Sequence, residues 1–304
     1  MKSIIKALVE IVGSQRVLLE EPLKNHTSFK IGGAARVVVL PQTPLEVAAV
    51  VRTLFSSKAK YMILGNGTNL LFPDEGYRGI VVKLAENLSQ IEVRGTLVQA
   101  QAGALLSRLS KVALKNHLSG LEFASGIPGT LGGAVVMNAG AYGGEMKDVV
   151  TEVKALTEEG ELLVFDREAM EFGYRNSIVK ERGLIVLETT LALEKSEKER
   201  IASRMSELDE KRRARQPLHL PSAGSTFKRP SGNYAGKLIE EAGLRGLRYG
   251  GAMVSERHCG FVVNVGEATY EEVTTLMGII QRTVFERFGI NLEPEVKIIE
   301  RDQS

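Results

Sequence analysis

The chain has 304 residues, 43% hydrophobic and 25% charged, with a net charge of +2; this balance is ordinary for a globular protein and sets up no field for general nucleic-acid binding. At this length one core usually divides, so two or three domains are expected. A single cysteine, Cys259, excludes an internal disulfide framework and suits a reducing cytoplasm, and four scattered histidines with no pair at ligand spacing give no metal site.

The first element is an amphipathic helix within residues 1–23, carried by Ile4, Ile5, Leu8, Ile11 and Val12. It lacks the apolar run and cleavage site of a signal peptide, and no stretch reaches the ~18 apolar residues of a membrane span, so no membrane insertion is expected. Residues 24–194 are glycine-rich, with β-type runs at 35–40, 60–64, 79–84, 96–103 and 184–194 and helical patterns at 44–56 and 104–116. This texture predicts an α+β domain without clean βαβ repeats. Residues 195–215, "KSEKERIASRMSELDEKRRAR", place Ile201, Met205 and Leu208 at helical spacing among charges; a charged helical connection is predicted. Residues 216–304 carry a helix at 234–243, a strand at 260–266, a long helix at 269–288 and a last strand at 296–300. "RHCGFVVN" (257–264) reads as core, with Cys259 packing as a small apolar residue.

Two glycine segments stand out. "LGNGTNLLF" (64–72) follows a strand; Gly65 and Gly67 allow close backbone approach or positive φ, successive N–H groups in such a turn form an anion-binding nest, and Asn66, Thr68 and Asn69 add polar side chains. It matches neither a Walker A loop nor a Gly-x-Gly-x-x-Gly turn, and by itself an ordinary strand-to-loop turn is the commoner reading. "ASGIPGTLGGAVVMNAGAYGGE" (124–145) has seven glycines, yet is too apolar for a flexible linker. Backbone stripped of side chains over that length suits a flat, extended ligand such as a flavin with its diphosphate; Asn138 adds polar contacts that glycine-rich packing would not require. Ser225, in "PSAGSTFKRP" (221–230), is a loop serine or a serine held out for chemistry; no Gly-x-Ser-x-Gly elbow surrounds it.

Six stretches in this order, "NHTSFKIGG", "LGNGTNLLF", "GIPGTLGGAVVMNAGAYGGE", "FGYRNSIVK", "AGSTFKRP" and "LEPEVKII", span residues 25–299. Together they resemble the UDP-N-acetylenolpyruvoylglucosamine reductase family, within the FAD-binding fold of vanillyl-alcohol-oxidase (PCMH) type. The resemblance implies a two-subdomain FAD-binding domain over 24–194 and a smaller α+β substrate-binding domain over 216–304. It implies reduction of the enolpyruvyl ether of UDP-N-acetylglucosamine to UDP-N-acetylmuramate, a step of peptidoglycan precursor synthesis, with non-covalent FAD as cofactor and NADPH as co-substrate. Hydride would pass from flavin N5 to C3 and a proton from Ser225 to C2, with Arg175 and Glu295 bracketing the enolpyruvyl group.

By the same resemblance, Leu64, Gly65, Asn66, Gly67, Thr68 and Asn69, then Gly126, Ile127, Pro128, Gly129, Gly132, Gly133 and Ala134, and finally Asn138, Gly140 and Ala141 would hold FAD. Tyr174, Arg215 and Lys228 would contact substrate. Arg229 stands where some members have asparagine, and the short stretch from Arg175 to the strand at 184 leaves no room for the tyrosine-bearing flap of other members.

The residue types suit the chemistry. The fork of Arg175 pairs with a carboxylate's two oxygens. A carboxyl at Glu295 beside a developing enolate is expected to be protonated or to share a proton when substrate is bound. The serine hydroxyl is a poor acid, but a carbanion needs only a close, aimed proton. Two other readings stay open at this point. One is another FAD-linked oxidase or dehydrogenase of the same fold; such enzymes often tether the flavin through histidine or cysteine, and 124–145 contains neither. The other is a colourless nucleotide-sugar binding protein.

Overall fold

Helix Pro44–Ser56 shows how local sequence sets these elements. Thr43 caps it, its side chain accepting from the Glu46 amide at 3.1 Å, and Pro44 sits in the first turn. Val47, Val50, Val51 and Leu54 recur at i, i+3, i+4 and i+7 and are fully buried. Arg16 then holds Glu46 through both guanidinium nitrogens, at 2.7 and 2.9 Å, and this pairing keeps the Glu46 carboxyl below its usual range.

The computed structural model describes residues 1–301; the last three residues of the expected C-terminal domain lie outside the described residues. Two units are present. The first comprises Met1–Leu19, Val37–Asn66 and Gly79–Arg212, and the second Glu20–Arg36, Gly67–Arg78 and the chain from Arg213 onward.

The first unit carries an antiparallel sheet of five strands in the order Leu162–Asp166, Val150–Leu156, Ile185–Ala192, Leu97–Gln101 and Ile91–Arg94. A four-stranded sheet has the order Val17–Pro22, Ala34–Val39, Tyr77–Lys83, Tyr61–Leu64, the last two parallel with Tyr61 opposite Ile80. Strands Val150–Leu156 and Leu162–Asp166 escaped the sequence reading. The first alternates only imperfectly and carries β-bulges against Ile185–Ala192, which blur the two-residue period. One core of aliphatic side chains fills this unit, from Leu8 and Val12 of the N-terminal helix to Leu191 and Leu193.

The second unit packs helices Ala235–Glu241 and Tyr270–Phe288 on a three-stranded antiparallel sheet, Arg248–Tyr249, Ala252–Val254 and Val262–Asn264. The long helix opens with a capping box between Thr269 and Glu272, and Val273, Leu276, Met277, Ile280 and Val284 form its buried face. Cys259 is buried in this core, as the sequence reading expected. Strand Lys297–Ile298 runs parallel to Leu70–Leu71. Helix Lys198–Arg215 forms where the charged connection was expected. Among the described residues, no helix is long and apolar enough to cross a membrane.

Candidate functional site

In the second unit, the Ser225 loop is an added strand fixed on both sides. Ser222 bridges Val263, and the Asn264 amide donates to the Pro221 carbonyl at 2.9 Å. Thr226, 3% exposed, donates its amide to Gly260 and accepts the Val262 amide on Oγ1, both at 2.8 Å. Its carbonyl accepts from the Glu295 amide at 2.9 Å; Phe227 bridges Pro294, and the Lys228 amide donates to Glu293 at 2.8 Å. Residues 226–228 and 293–295 are therefore antiparallel neighbours, which brings the region of Ser225 beside Glu295 across nearly 70 residues of sequence. Ser225 itself is exposed, displayed by a buried neighbour and preceded by Gly224 at φ +77°, a conformation that glycine adopts without strain. Asn69 joins the same place: its side-chain amide donates to the Glu295 carbonyl at 3.0 Å and its carbonyl accepts from Lys297.

In the first unit, the two glycine segments meet. The Asn66 side-chain amide donates to the Pro128 carbonyl at 2.7 Å. A Cβ on Gly65 would stand 2.5 Å from Thr130 Oγ1, so bare backbone is required there. The amides of Leu131 and Gly132 donate to the carbonyls of Ala104 and Ala102, both at 2.8 Å, which pins helix Leu131–Val136. Gly133 is exposed, and among the described residues a Cβ there would meet Thr130 Oγ1 at 3.6 Å and nothing nearer. Accessible main chain at Gly129 and Gly133, with Ile127 half-buried beside it, fits a flat ligand of the FAD type. Leu64 is wholly buried at its strand end. Gly67, in the second unit, has φ +61°, and a Cβ on it would sit 2.1 Å from the His26 carbonyl; its bareness serves the chain's own packing.

The end of the long glycine segment is a tight hairpin. Gly140–Ala141 pairs with Gly144–Glu145 through a turn in which Tyr142 and Gly143 both have positive φ, as a two-residue hairpin requires. Asn138, 1% exposed, donates to the Glu145 carboxylate at 2.8 Å and to the Gly173 carbonyl at 3.0 Å, and accepts the Lys147 amide at 3.0 Å. The "YRN" stretch is a second turn, with Gly173 and Asn176 bridged across Tyr174 and Arg175. Arg175 takes φ +55° and its guanidinium lies 5.2 Å from the ring centre of Tyr174, which is 55% exposed.

Of the basic candidates, Lys228 is ion-paired to Glu293 at 2.9 Å and Arg215 is an exposed helix end. Arg229 lies over the Tyr234 ring at 4.3 Å. The sequence reading missed Arg212. It is 7% exposed, its guanidinium donates to the Gly126 carbonyl and faces the Tyr142 ring at 5.9 Å, and burial pulls its pKa down. Its position four residues after Leu208, in line with Ile201 and Leu208, was the available signal; the surrounding "KRRAR" charges masked it.

Residues 35–166 match the family described as FAD binding domain, and residues 216–299 match UDP-N-acetylenolpyruvoylglucosamine reductase, C-terminal domain. A solved structure titled alkyldihydroxyacetonephosphate synthase is 16% identical with a TM-score of 0.50, covering 64% of this chain and 41% of that one; the likeness is one of fold. Fold and domains together define a protein with a FAD-binding domain and a dedicated C-terminal domain, in the fold class that the sequence reading expected. UDP-N-acetylenolpyruvoylglucosamine reductase of Alkaliphilus oremlandii is 51% identical over 294 residues, 97% of each chain. The crystal structure of UDP-N-acetylenolpyruvylglucosamine reductase from Thermus caldophilus is 38% identical with a TM-score of 0.79, covering 93% of this chain and 97% of that one. The chain belongs to the UDP-N-acetylenolpyruvoylglucosamine reductase family.

Proposed function

We propose that the protein reduces the enolpyruvyl ether of UDP-N-acetylglucosamine to UDP-N-acetylmuramate, with NADPH as reductant, in cytoplasmic peptidoglycan precursor synthesis. Family membership supports the reaction class, and one observation supports the assignment of residues: the antiparallel pairing of 226–228 with 293–295, which brings the backbone of the Ser225 loop alongside the chain at Glu295.

In this reading residues 24–194 hold FAD, 1–23 and 195–215 flank that domain, and 216–304 take the substrate. The 64–69 turn, the 126–134 strip and the 138–141 stretch face the cofactor, Asn138 through its main chain. Bound FAD supplies the hydride for C3 of the substrate. Arg175 pairs its planar fork with the enolpyruvyl carboxylate and stabilises the charge that develops on it. Ser225 gives the proton to C2; an exposed hydroxyl on a strand locked by Thr226 is aimed at little entropic cost. Glu295 is the second side chain beside the enolpyruvyl group. Tyr174, Arg215 and Lys228 bind the nucleotide portion of the substrate, and Lys228 reaches it by exchanging Glu293 for phosphate.

The test is direct. Purified protein should show flavin absorption that is released on denaturation, should be bleached once by NADPH alone, and should consume NADPH over many turnovers only when the enolpyruvyl substrate is present. Protein that stays colourless after incubation with FAD, or that consumes oxygen with alcohols and ignores the UDP-sugar, refutes the proposal.

A further inference from the structure

The turn carrying Arg175 needs more support than its own sequence gives. Arg175 has φ +55°, a left-handed conformation that is strained for a residue bearing a Cβ and persists only where the surroundings hold it. The turn is exposed at Tyr174 and has no core side chain of its own. Its support comes from hydrogen bonds. Asn138 donates to the carbonyl of Gly173 at 3.0 Å, at the start of the turn. Ser177, 0% exposed, donates to the Val136 carbonyl at 2.9 Å, just past the turn's end. Lys180 donates from Nζ to the carbonyl of Arg175 itself, at 2.8 Å. Both shoulders of the turn are thus tied to residues 136–138, where helix Leu131–Val136 of the glycine segment ends.

Asn138 is the joint. A primary amide has two N–H donors and an acceptor oxygen. Both donor contacts of Asn138 go to the chain, one to Gly173 and one to the Glu145 carboxylate, and its oxygen takes the Lys147 amide. At 1% exposure it offers nothing of its side chain to a ligand. We propose that Asn138 is a positioning residue: it fixes the Arg175 turn to the end of the glycine segment, with Lys180 securing the Arg175 carbonyl, so that the guanidinium is held ready for the substrate carboxylate. This rests on the reading of Arg175 given above.

The experiment uses the full-length, flavin-loaded protein and separates two half-reactions: bleaching of the flavin by NADPH, and its reoxidation by the enolpyruvyl UDP-sugar. Lys180→Met, at an exposed position, and Asn138→Ala are each made alone and on an Arg175→Ala background. The expected result is normal flavin content and near-normal bleaching in both single variants. Reoxidation falls roughly 5- to 50-fold, the worth of one hydrogen bond plus slight misplacement. On the Arg175→Ala background the same changes add less than about twofold, because the group they position is gone. Lys180→Arg, which still reaches the carbonyl, restores most of the rate. Flavin loss in Asn138→Ala with reoxidation intact in Lys180→Met overturns the proposal and makes Asn138 a cofactor ligand. An equal loss with and without Arg175 overturns it as well. If Asn138→Ala does not fold, the two Lys180 variants decide alone. Unchanged reoxidation in Arg175→Ala refutes the role of Arg175 itself, whereas a slow Arg175→Ala beside unaffected Asn138 and Lys180 variants refutes only the positioning.

Discussion

Thr226 is the residue on which the display of Ser225 depends, and Thr226→Val isolates its hydroxyl. Valine keeps the shape and volume. It removes the hydroxyl, and with it the acceptor that the Val262 amide meets at 2.8 Å. Val262 and Thr226 are both buried, so the freed N–H finds no water, and a buried unpaired donor costs about 1–3 kcal/mol. Thr226→Ser is the control: it keeps the acceptor and loses one methyl, worth about 0.8 kcal/mol. At about 2–4 °C per kcal/mol for a chain of this class, the valine variant should melt roughly 2–12 °C below the parent and the serine variant roughly 2–3 °C below it. Circular dichroism melts of the FAD-loaded proteins at one protein concentration measure both. Reoxidation by the enolpyruvyl substrate should slow in the valine variant more than in the serine variant, since the strand bearing Ser225 loosens. A valine variant that melts at or above the serine variant would show that the hydroxyl is not the anchor, and the account of how Ser225 is held would be wrong.

Ser225→Ala should bind FAD and be bleached by NADPH at the parental rate, while reoxidation falls roughly 10²–10⁴-fold, the usual worth of a positioned proton donor; equal slowing of both half-reactions in stopped-flow would instead assign the serine to cofactor placement. Gly133→Leu has room in the chain itself, with one contact at 3.6 Å, so it should fold normally yet purify with little flavin; full flavin occupancy would place the cofactor elsewhere. Glu295→Gln should slow reoxidation while leaving bleaching by NADPH at the parental rate, and reoxidation at full rate removes Glu295 from the chemistry of that step. Burial holds His258 below its ordinary 6.5, and its Nδ1 accepts the Gly260 amide at 3.0 Å, which requires the neutral ring. Below pH ~6.5 the unfolded chain therefore binds the extra proton. Stability should be full above that pH and fall as pH drops towards the lowered folded value. Denaturant midpoints at pH 7.5 and 5.5 test this, and a parental pH slope in His258→Asn would refute it.

The sequence by itself determined the longer helices and the family, because these are local or ordered along the chain; the short helix Leu131–Val136, inside the glycine segment, escaped it. Thr43-Pro44 and the spacing of Val47, Val51 and Leu54 specify a helix without reference to anything distant. Thr269 and Glu272 do the same for Tyr270–Phe288. What the sequence left out were relations between remote segments. That the Ser225 loop runs alongside the chain at Glu295 follows from Thr226 pairing with 295, and no periodicity encodes a strand pairing of that separation. Arg212 looked like one more charge on a solvated helix, and only the packing of that helix against Gly126 made it the buried one. Asn138 read as a ligand because polar groups among glycines usually face something, and the tertiary structure supplied the something: Gly173, Glu145 and Lys147 of the same chain. A buried amide must find partners wherever the fold puts them, and those partners are chosen by the three-dimensional path of the backbone.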